Sequence, residues 1–365
     1  MTDLLYSDVE EDLRASVRDL FADKASAASV LARTESDEPY DLKLWRTVAV
    51  ELGLTGLHVP EELDGQGAST RELAVVLEEL GRAVAPVPFL GSAVLATSAL
   101  LACGTGEAAG LVRRLATGAA IGALAVPLTT WPTSPFPTGV SVAGDVLSGG
   151  IGVVADASVA DVLVVPATGP DGPVLYAVED FTATEVTSLD LTRRLADVVL
   201  DKASGRLLAS GDAAVGALET ALTTGAGLLA SEQVGIAQRC LDETVAYVKG
   251  RYQFGRPIGS FQALKHRLAD AYLEVVTARA AARYAADTLA SDDTDVPVAV
   301  ALAQSACSAT AVHLAEEAVQ LHGGIGMTWE HTAHLYLKRA KSDELALGTP
   351  GRHRSTLAGL VYLPA

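Results

Sequence analysis

Between residues 113 and 212 the chain changes texture, and that change restricts the folds open to it more than any other feature. Short apolar runs such as Val162-Leu163-Val164-Val165 and Val174-Leu175-Tyr176-Ala177-Val178 alternate there with Gly, Pro, Thr and Asp. Runs this short, bounded by turn residues, predict strands and loops. On both sides the pattern is helical. Val9, Leu13, Val17, Leu20 and Phe21 recur at three- and four-residue steps, and Ser69 with Glu72, ahead of Leu73-Ala74-Val75-Val76, has the form of a capping box. Beyond residue 213, Val234, Ala237, Leu241, Val245 and Val248 form one stripe, and Leu264, Leu268, Ala271 and Val275 form another. Asp295 with Pro297 in the first turn starts a further helix. At 365 residues the chain exceeds the usual single-core size. The order helix, strand, helix predicts an α+β chain with units at 1–112, 113–212 and 213–365.

Charge narrows the partners. A net charge of -18 and a pI of about 4.7 argue against a nucleic-acid surface, which needs a concentrated basic patch. An anionic ligand must find local cations instead. Cys103, Cys240 and Cys307 are far apart and lack metal-ligand spacing, so reduced thiols and no metal site are expected. Residues 1–11 are acidic and show no export signal. The weakly polar stretch 93–102 is shorter than the roughly 20 residues a membrane span needs. A soluble, cytoplasmic protein is the expectation.

Two motifs in the last third carry chemistry. The first is Arg251-Tyr252-Gln253-Phe254-Gly255-Arg256-Pro257-Ile258, followed by Phe261-Gln262. The second is Gln320-Leu321-His322-Gly323-Gly324-Ile325-Gly326-Met327, which leads on to Lys338-Arg339-Ala340-Lys341 and Gly348-Thr349. A guanidinium such as Arg251 gives paired, charge-assisted hydrogen bonds to a pyrophosphate. Glycines at 323, 324 and 326 remove Cβ atoms where backbone approaches a ligand or turns sharply. Gln320, one turn earlier, presents an amide. Singly, each residue has an ordinary reading: Gly323-Gly324 as a helix cap, Arg251 as a solvated charge.

In this order and separation the motifs resemble the acyl-CoA dehydrogenase family. The likeness extends to Leu44-Trp45, Val59-Pro60-Glu61-Glu62, Gly65-Gln66-Gly67 and Leu77-Glu78-Glu79-Leu80-Gly81-Arg82-Ala83 near the N-terminus. It implies a helical N-terminal domain, a β-barrel-like middle domain and a C-terminal four-helix bundle. It also implies FAD as cofactor, an acyl-CoA thioester as substrate and an electron-transferring flavoprotein as acceptor. In the family the two motifs reach across a dimer interface to the adenosine-pyrophosphate end of FAD held by the neighbouring subunit. By resemblance that role falls to Arg251, Gln253, Phe254, Gln262, Gln320, Gly323, Gly324 and Thr349.

The flavin-ring side departs from the pattern. Val153 and Ala155 stand where the family places an aromatic and a hydroxyl, and the Thr-Glu-Pro segment reads Leu128-Thr129-Thr130-Trp131-Pro132. The family's reaction needs a carboxylate base. Leu347 occupies the usual place of that Glu, and the alternative place falls near Gly225. Glu344 and Glu232 are the nearest substitutes, with a solvated or capping role as the bland reading of each. His322 and His313 lack a nucleophilic partner and read as packing residues. Arg352-His353-Arg354 reads as a solvated tail or a contact for a CoA phosphate. Three functions remain open: a base-lacking subunit that completes a related subunit's FAD site, as in actinobacterial hetero-oligomers acting on steroid or other bulky thioesters; a self-sufficient homo-oligomer with a relocated base; and a non-catalytic scaffold or acyl-CoA-binding regulator.

Overall fold

A computed structural model gives the fold and describes residues 4–362; residues 1–3 and 363–365, the ends of the first and last expected units, lie outside the described residues. Helices open the chain: α1 (Asp8–Lys24), α2 (Ala27–Thr34), α3 (Leu42–Arg46), α4 (Thr70–Ala83), α5 (Thr97–Cys103) and α6 (Gly106–Ala116). Ser69 and Glu72 form the expected capping box at α4, and Ser7 with Glu10 forms another at α1. The stripe on α1 is rotated from the expected one. Val9 is exposed, and the buried face reads Glu10, Arg14, Val17 and Phe21. Burying two charges is tolerable because each is paired. Glu10 meets Arg71 at 3.2 Å and Arg283 at 2.6 Å, while Arg14 meets Glu78 at 3.0 Å and Glu79 at 3.2 Å.

Seven strands follow: β1 (Gly122–Leu124), β2 (Val140–Ala143), β3 (Val146–Ala155), β4 (Val162–Gly169), β5 (Gly172–Val178), β6 (Thr182–Val186) and β7 (Leu195–Ser210). In space β4, β2, β3, β7 and β5 are successive neighbours, and β5 pairs with β4 as well as β7. The sheet therefore closes on itself as a barrel, filled by Leu147, Val154, Leu163, Val165, Tyr176 and Val198. β1 pairs with β4 and β6 with β7, outside that ring.

The rest is helical. It comprises α7 (Asp212–Gly250), the short hairpin of β8 (Tyr252–Gln253) and β9 (Arg256–Pro257), α8 (Gln262–Ser291), α9 (Val296–His322), α10 (Ala333–Leu345) and α11 (Pro350–Leu360). α9 packs against α7, α8, α10 and α11, and α4 packs against α7. One apolar core thus runs from Val17 to Leu347 through both helical regions, beside a second inside the barrel. The longest apolar stretches lie in α7 and α9 and not at residues 93–102. Both are long and apolar enough to cross a membrane, and 67% of the most apolar window of each is buried against the protein, as expected of core helices. Cys240 and Cys307 are buried and Cys103 half-buried, all as free thiols. No His, Cys, Asp or Glu cluster suited to a metal ion occurs among the described residues.

Candidate functional site

The first motif forms a tight hairpin at the end of α7. β8 and β9 are joined by Phe254-Gly255, whose φ angles of +53° and +75° define a type I′ turn. Glycine adopts this conformation freely, whereas holding Phe254 in it costs about 1–2 kcal/mol. The ring is 91% exposed, so no burial offsets that strain. A strained backbone displaying an aromatic ring to solvent points to a contact outside the chain. Arg251 and Gln253 are exposed, and the Arg251 guanidinium has no hydrogen bond or ion pair among the described residues. Gln262, the first residue of α8, is exposed with its amide 3.4 Å from His266.

Three glycines of the second motif do three different things. Gly323 ends α9 at φ 64°, ψ -142°, a conformation open to glycine. A Cβ on Gly326 would stand 2.5 Å from the Val319 carbonyl, so close packing excludes a side chain there. Gly324 has neither reason: its φ is ordinary and nothing lies within 4 Å of a Cβ built on it. Exposed Gln320 sits one turn earlier. The two motifs are tied together, since Tyr247 donates to the His322 carbonyl at 3.2 Å and the two rings lie 4.3 Å apart. Trp329, just beyond the turn, donates to Glu35, stacks on His334 at 4.5 Å and carries Lys338 over its ring at 4.0 Å.

Other expected residues lie elsewhere. Thr349 caps α11, its hydroxyl accepting the Arg352 N–H at 3.3 Å, and among the described residues no hydrogen bond links it to either motif. His322 is buried as expected, but His313 is exposed and faces Glu274 at 2.8 Å, so it is no packing residue. The run 352–354 is divided. Arg352 stacks on Trp131 at 4.1 Å, His353 is buried, and only Arg354 is a free surface charge.

Leu347 and Gly225, the two places considered for a base, are neighbours in space. Leu347 is fully buried, with φ +54°. A Cβ on Gly225 would stand 3.1 Å from Leu347 Cδ1 and closer still to Leu95 Cδ2. A ladder of hydrogen bonds crosses the same spot. Leu347 N–H donates to the Leu128 carbonyl at 2.8 Å, Leu128 N–H to the Val153 carbonyl at 3.1 Å, and His353 Nε2 to the Leu347 carbonyl at 3.0 Å. Val153 is itself strained: its φ is +51°, an outlier for a β-branched residue, and Asp197 holds its N–H at 2.9 Å. Ala155 is buried. The barrel and the α10–α11 turn therefore meet directly. A cavity of about 70 Å³ remains beside Trp131, Glu219 and Thr356, next to a shallow groove of about 290 Å³ over Phe136 and Leu218.

The family descriptions "Acyl-CoA dehydrogenase, N-terminal domain" and "Acyl-CoA dehydrogenase, C-terminal domain" match residues 7–118 and 215–361. This chain belongs to the acyl-CoA dehydrogenase family. It is 40% identical to acyl-CoA dehydrogenase IpdE2 of Mycolicibacterium smegmatis over 98% of this chain and 100% of that one. Among solved structures it is similar to the ChsE4-ChsE5 complex from Mycobacterium tuberculosis, with 29% identity, a TM-score of 0.88 and full coverage of both chains. It is likewise similar to a variant of the Tcur3481-Tcur3483 steroid ACAD, with 31% identity and a TM-score of 0.85 over 97% of this chain and 98% of that one.

In this acyl-CoA dehydrogenase chain neither substitute carboxylate faces the Leu347 position. Glu344 pairs with Lys341 at 3.4 Å on the half-exposed side of α10. Glu232 is not the solvated or capping carboxylate expected but is buried, holding both oxygens 2.7 Å from Arg193 and one 2.6 Å from Arg339. Burial alone would raise its pKa, and those two guanidiniums more than reverse the effect. Arg339 also binds Asp190 at 2.7 Å, and Arg193 binds Asp343 at 2.5 Å. Two cations thus face three carboxylates, and Asp343 Oδ2 has no partner. Burial first, and then Glu232, push Asp343 up to about 8. Sequence spacing gave no sign of this cluster, because its members lie on three separate segments.

Proposed function

We propose that this chain is the base-lacking subunit of a two-component, FAD-dependent acyl-CoA dehydrogenase, and that it completes a flavin site carried mainly by a related partner subunit. One observation carries the reading: Leu347 and Leu95 fill the space over Gly225, and the Leu128–Leu347 hydrogen bond closes the cleft where the resemblance places base and thioester. Leucine takes no proton, and Leu95 and Leu347 leave no room over Gly225 for another side chain.

The adenosine-pyrophosphate end of FAD does fit the two motifs. Arg251 offers an unspent guanidinium, Phe254 an exposed ring, and Gly324 a surface where backbone can approach a neighbour. Gln253, Gln262, Gln320 and Gly323 lie on the same two turns, while Thr349 caps α11 and contributes less directly. Arg251, Phe254 and the two turns would grip and orient the dinucleotide, which when bound would supply a hydride acceptor. The likeness to the ChsE4-ChsE5 complex and to a steroid ACAD supports a hetero-oligomer and a bulky acyl-CoA thioester. An electron-transferring flavoprotein as acceptor and a cytoplasmic location complete the proposal.

The self-sufficient reading loses support because Glu232 is consumed by two arginines and Glu344 by Lys341. Co-expression with a related subunit tests the proposal. Flavin should co-purify with the pair, acyl-CoA oxidation should require the partner, and Arg251→Ala should lower flavin content. A lone chain that purifies with bound flavin and oxidises an acyl-CoA would overturn it.

A further inference from the structure

Away from the Leu347 cleft, a cavity of about 350 Å³ opens between α1, α4, α7 and α10. Arg18 of α1, Arg82 of α4 and Arg239 of α7 converge on it, against one lining carboxylate, Glu79. Among the lining residues three guanidiniums stand against one carboxylate, while Asp242 and Glu243 pair with Arg82 and Arg239 from outside the lining.

Glu79 has no capacity left to neutralise the rest. It receives Arg18 Nε at 3.0 Å and Nη2 at 2.6 Å, Arg14 Nη1 at 3.2 Å, and stands 3.7 Å from Arg82 Nε. Arg82 spends Nη1 on Asp242 at 2.9 Å, and Arg239 spends Nη2 on Glu243 at 2.6 Å. Arg239 Nε is buried and has no hydrogen-bond partner. An adjoining cavity of about 370 Å³ shares Arg18 and Arg82 and adds Arg14, nine-tenths buried, whose Nη2 has no hydrogen-bond partner, together with Arg279 and the carboxylates Glu11, Glu78 and Asp242. Leaving a buried N–H unsatisfied is unfavourable. Such a group beside an arginine-lined opening is an imbalance that an oxyanion removes, because a planar guanidinium fork matches its geometry.

We propose that this seam is an anion site that takes a phosphate group between Arg18, Arg82 and Arg239, with the apolar floor around Phe21 left for whatever the phosphate is attached to. Inorganic phosphate and a phosphate monoester share this chemistry, and binding strength separates them.

The test is a calorimetric titration of the purified protein with inorganic phosphate and with adenosine 5′-monophosphate, at constant ionic strength set with chloride. Saturable phosphate binding is expected. Arg239→Gln should weaken it about tenfold or more, the loss of one charge-assisted hydrogen bond. Arg206→Gln should not, since Arg206 of β7 pairs with Glu107 of α6 and with Glu179. Arg18→Gln, at a half-exposed side chain, gives the same reading if Arg239→Gln fails to fold. Tighter binding of the nucleotide with the same arginine dependence supports a phosphate monoester as the occupant; equal binding supports the free ion. The absence of saturable binding, or binding indifferent to both cavity variants, overturns the proposal.

Discussion

The Leu347 side chain lies over Gly225 so closely that a Cβ added to Gly225 would stand 3.1 Å from Leu347 Cδ1. Gly225→Ala should therefore overpack the closed cleft and cost about 1–3 kcal/mol, read as a lower urea midpoint. Shortening Leu95, whose Cδ2 lies nearer still, should restore part of it. Leu347→Glu should not create activity in the lone chain, because the Leu128 carbonyl still occupies the backbone N–H at that position.

Glu232 and Glu344 should behave in opposite ways. Glu232→Gln strips a charge partner from buried Arg193 and Arg339 and should destabilise by about 3–5 kcal/mol. Glu344→Gln breaks only the surface pair with Lys341 and should shift stability by about 0.5 kcal/mol or less. Activity of the assembled enzyme should survive Glu344→Gln; a loss of turnover at unchanged stability would mean that Glu344 is catalytic.

Asp343 should make stability fall with rising pH. Its carboxyl is pushed up to about 8 in the fold, by burial and by Glu232, against about 3.9 in the unfolded chain. The folded state thus keeps a proton that the unfolded state releases. Stability is fullest below about pH 4 as far as this group is concerned, declines between about 4 and 8 by up to about 1.4 kcal/mol per unit, and is flat above. Glu232, Arg193, Arg339 and Asp190 are the charged groups around it. Asp343→Asn should remove this slope from denaturant midpoints measured across that range.

Phe254→Gly should relieve the strained turn and raise the melting temperature slightly, because glycine adopts a positive φ without cost. The same change should lower the flavin content of the assembled enzyme. A variant that gains stability and keeps all its flavin would show that the ring contacts nothing outside the chain.

Gly324 and Gly326 offer a matched pair. Gly326→Ala should cost about 1–3 kcal/mol, since its Cβ meets the Val319 carbonyl. Gly324→Ala meets nothing and should leave melting within error, yet reduce flavin content once the partner is present.

Much of this architecture was legible because helix and strand periodicities differ and the texture changes sharply near residues 113 and 212. The two turn motifs were legible as local strings, as was the lack of a carboxylate at Leu347 and Gly225. What stayed hidden is ionic and non-local. Nothing along the sequence announces that Glu10 and Arg14 face inward on α1, or that Arg193, Glu232, Arg339 and Asp343 share one buried cluster, because hydrophobic stripes rank such residues as surface. The contact of Leu347 with Gly225 was equally invisible: each position was read alone, and only the packing of α7 against the α10–α11 turn joins them.

Closure of the barrel through β5 has a consequence for the life of the chain before assembly. With β4, β2, β3, β7 and β5 in a ring, the strands of this sheet left with one neighbour among the described residues are β1 and β6, of three and five residues. Short open edges are poor templates for adding foreign strands. A newly made chain can therefore stand alone without polymerising through its sheet, before it meets any other subunit.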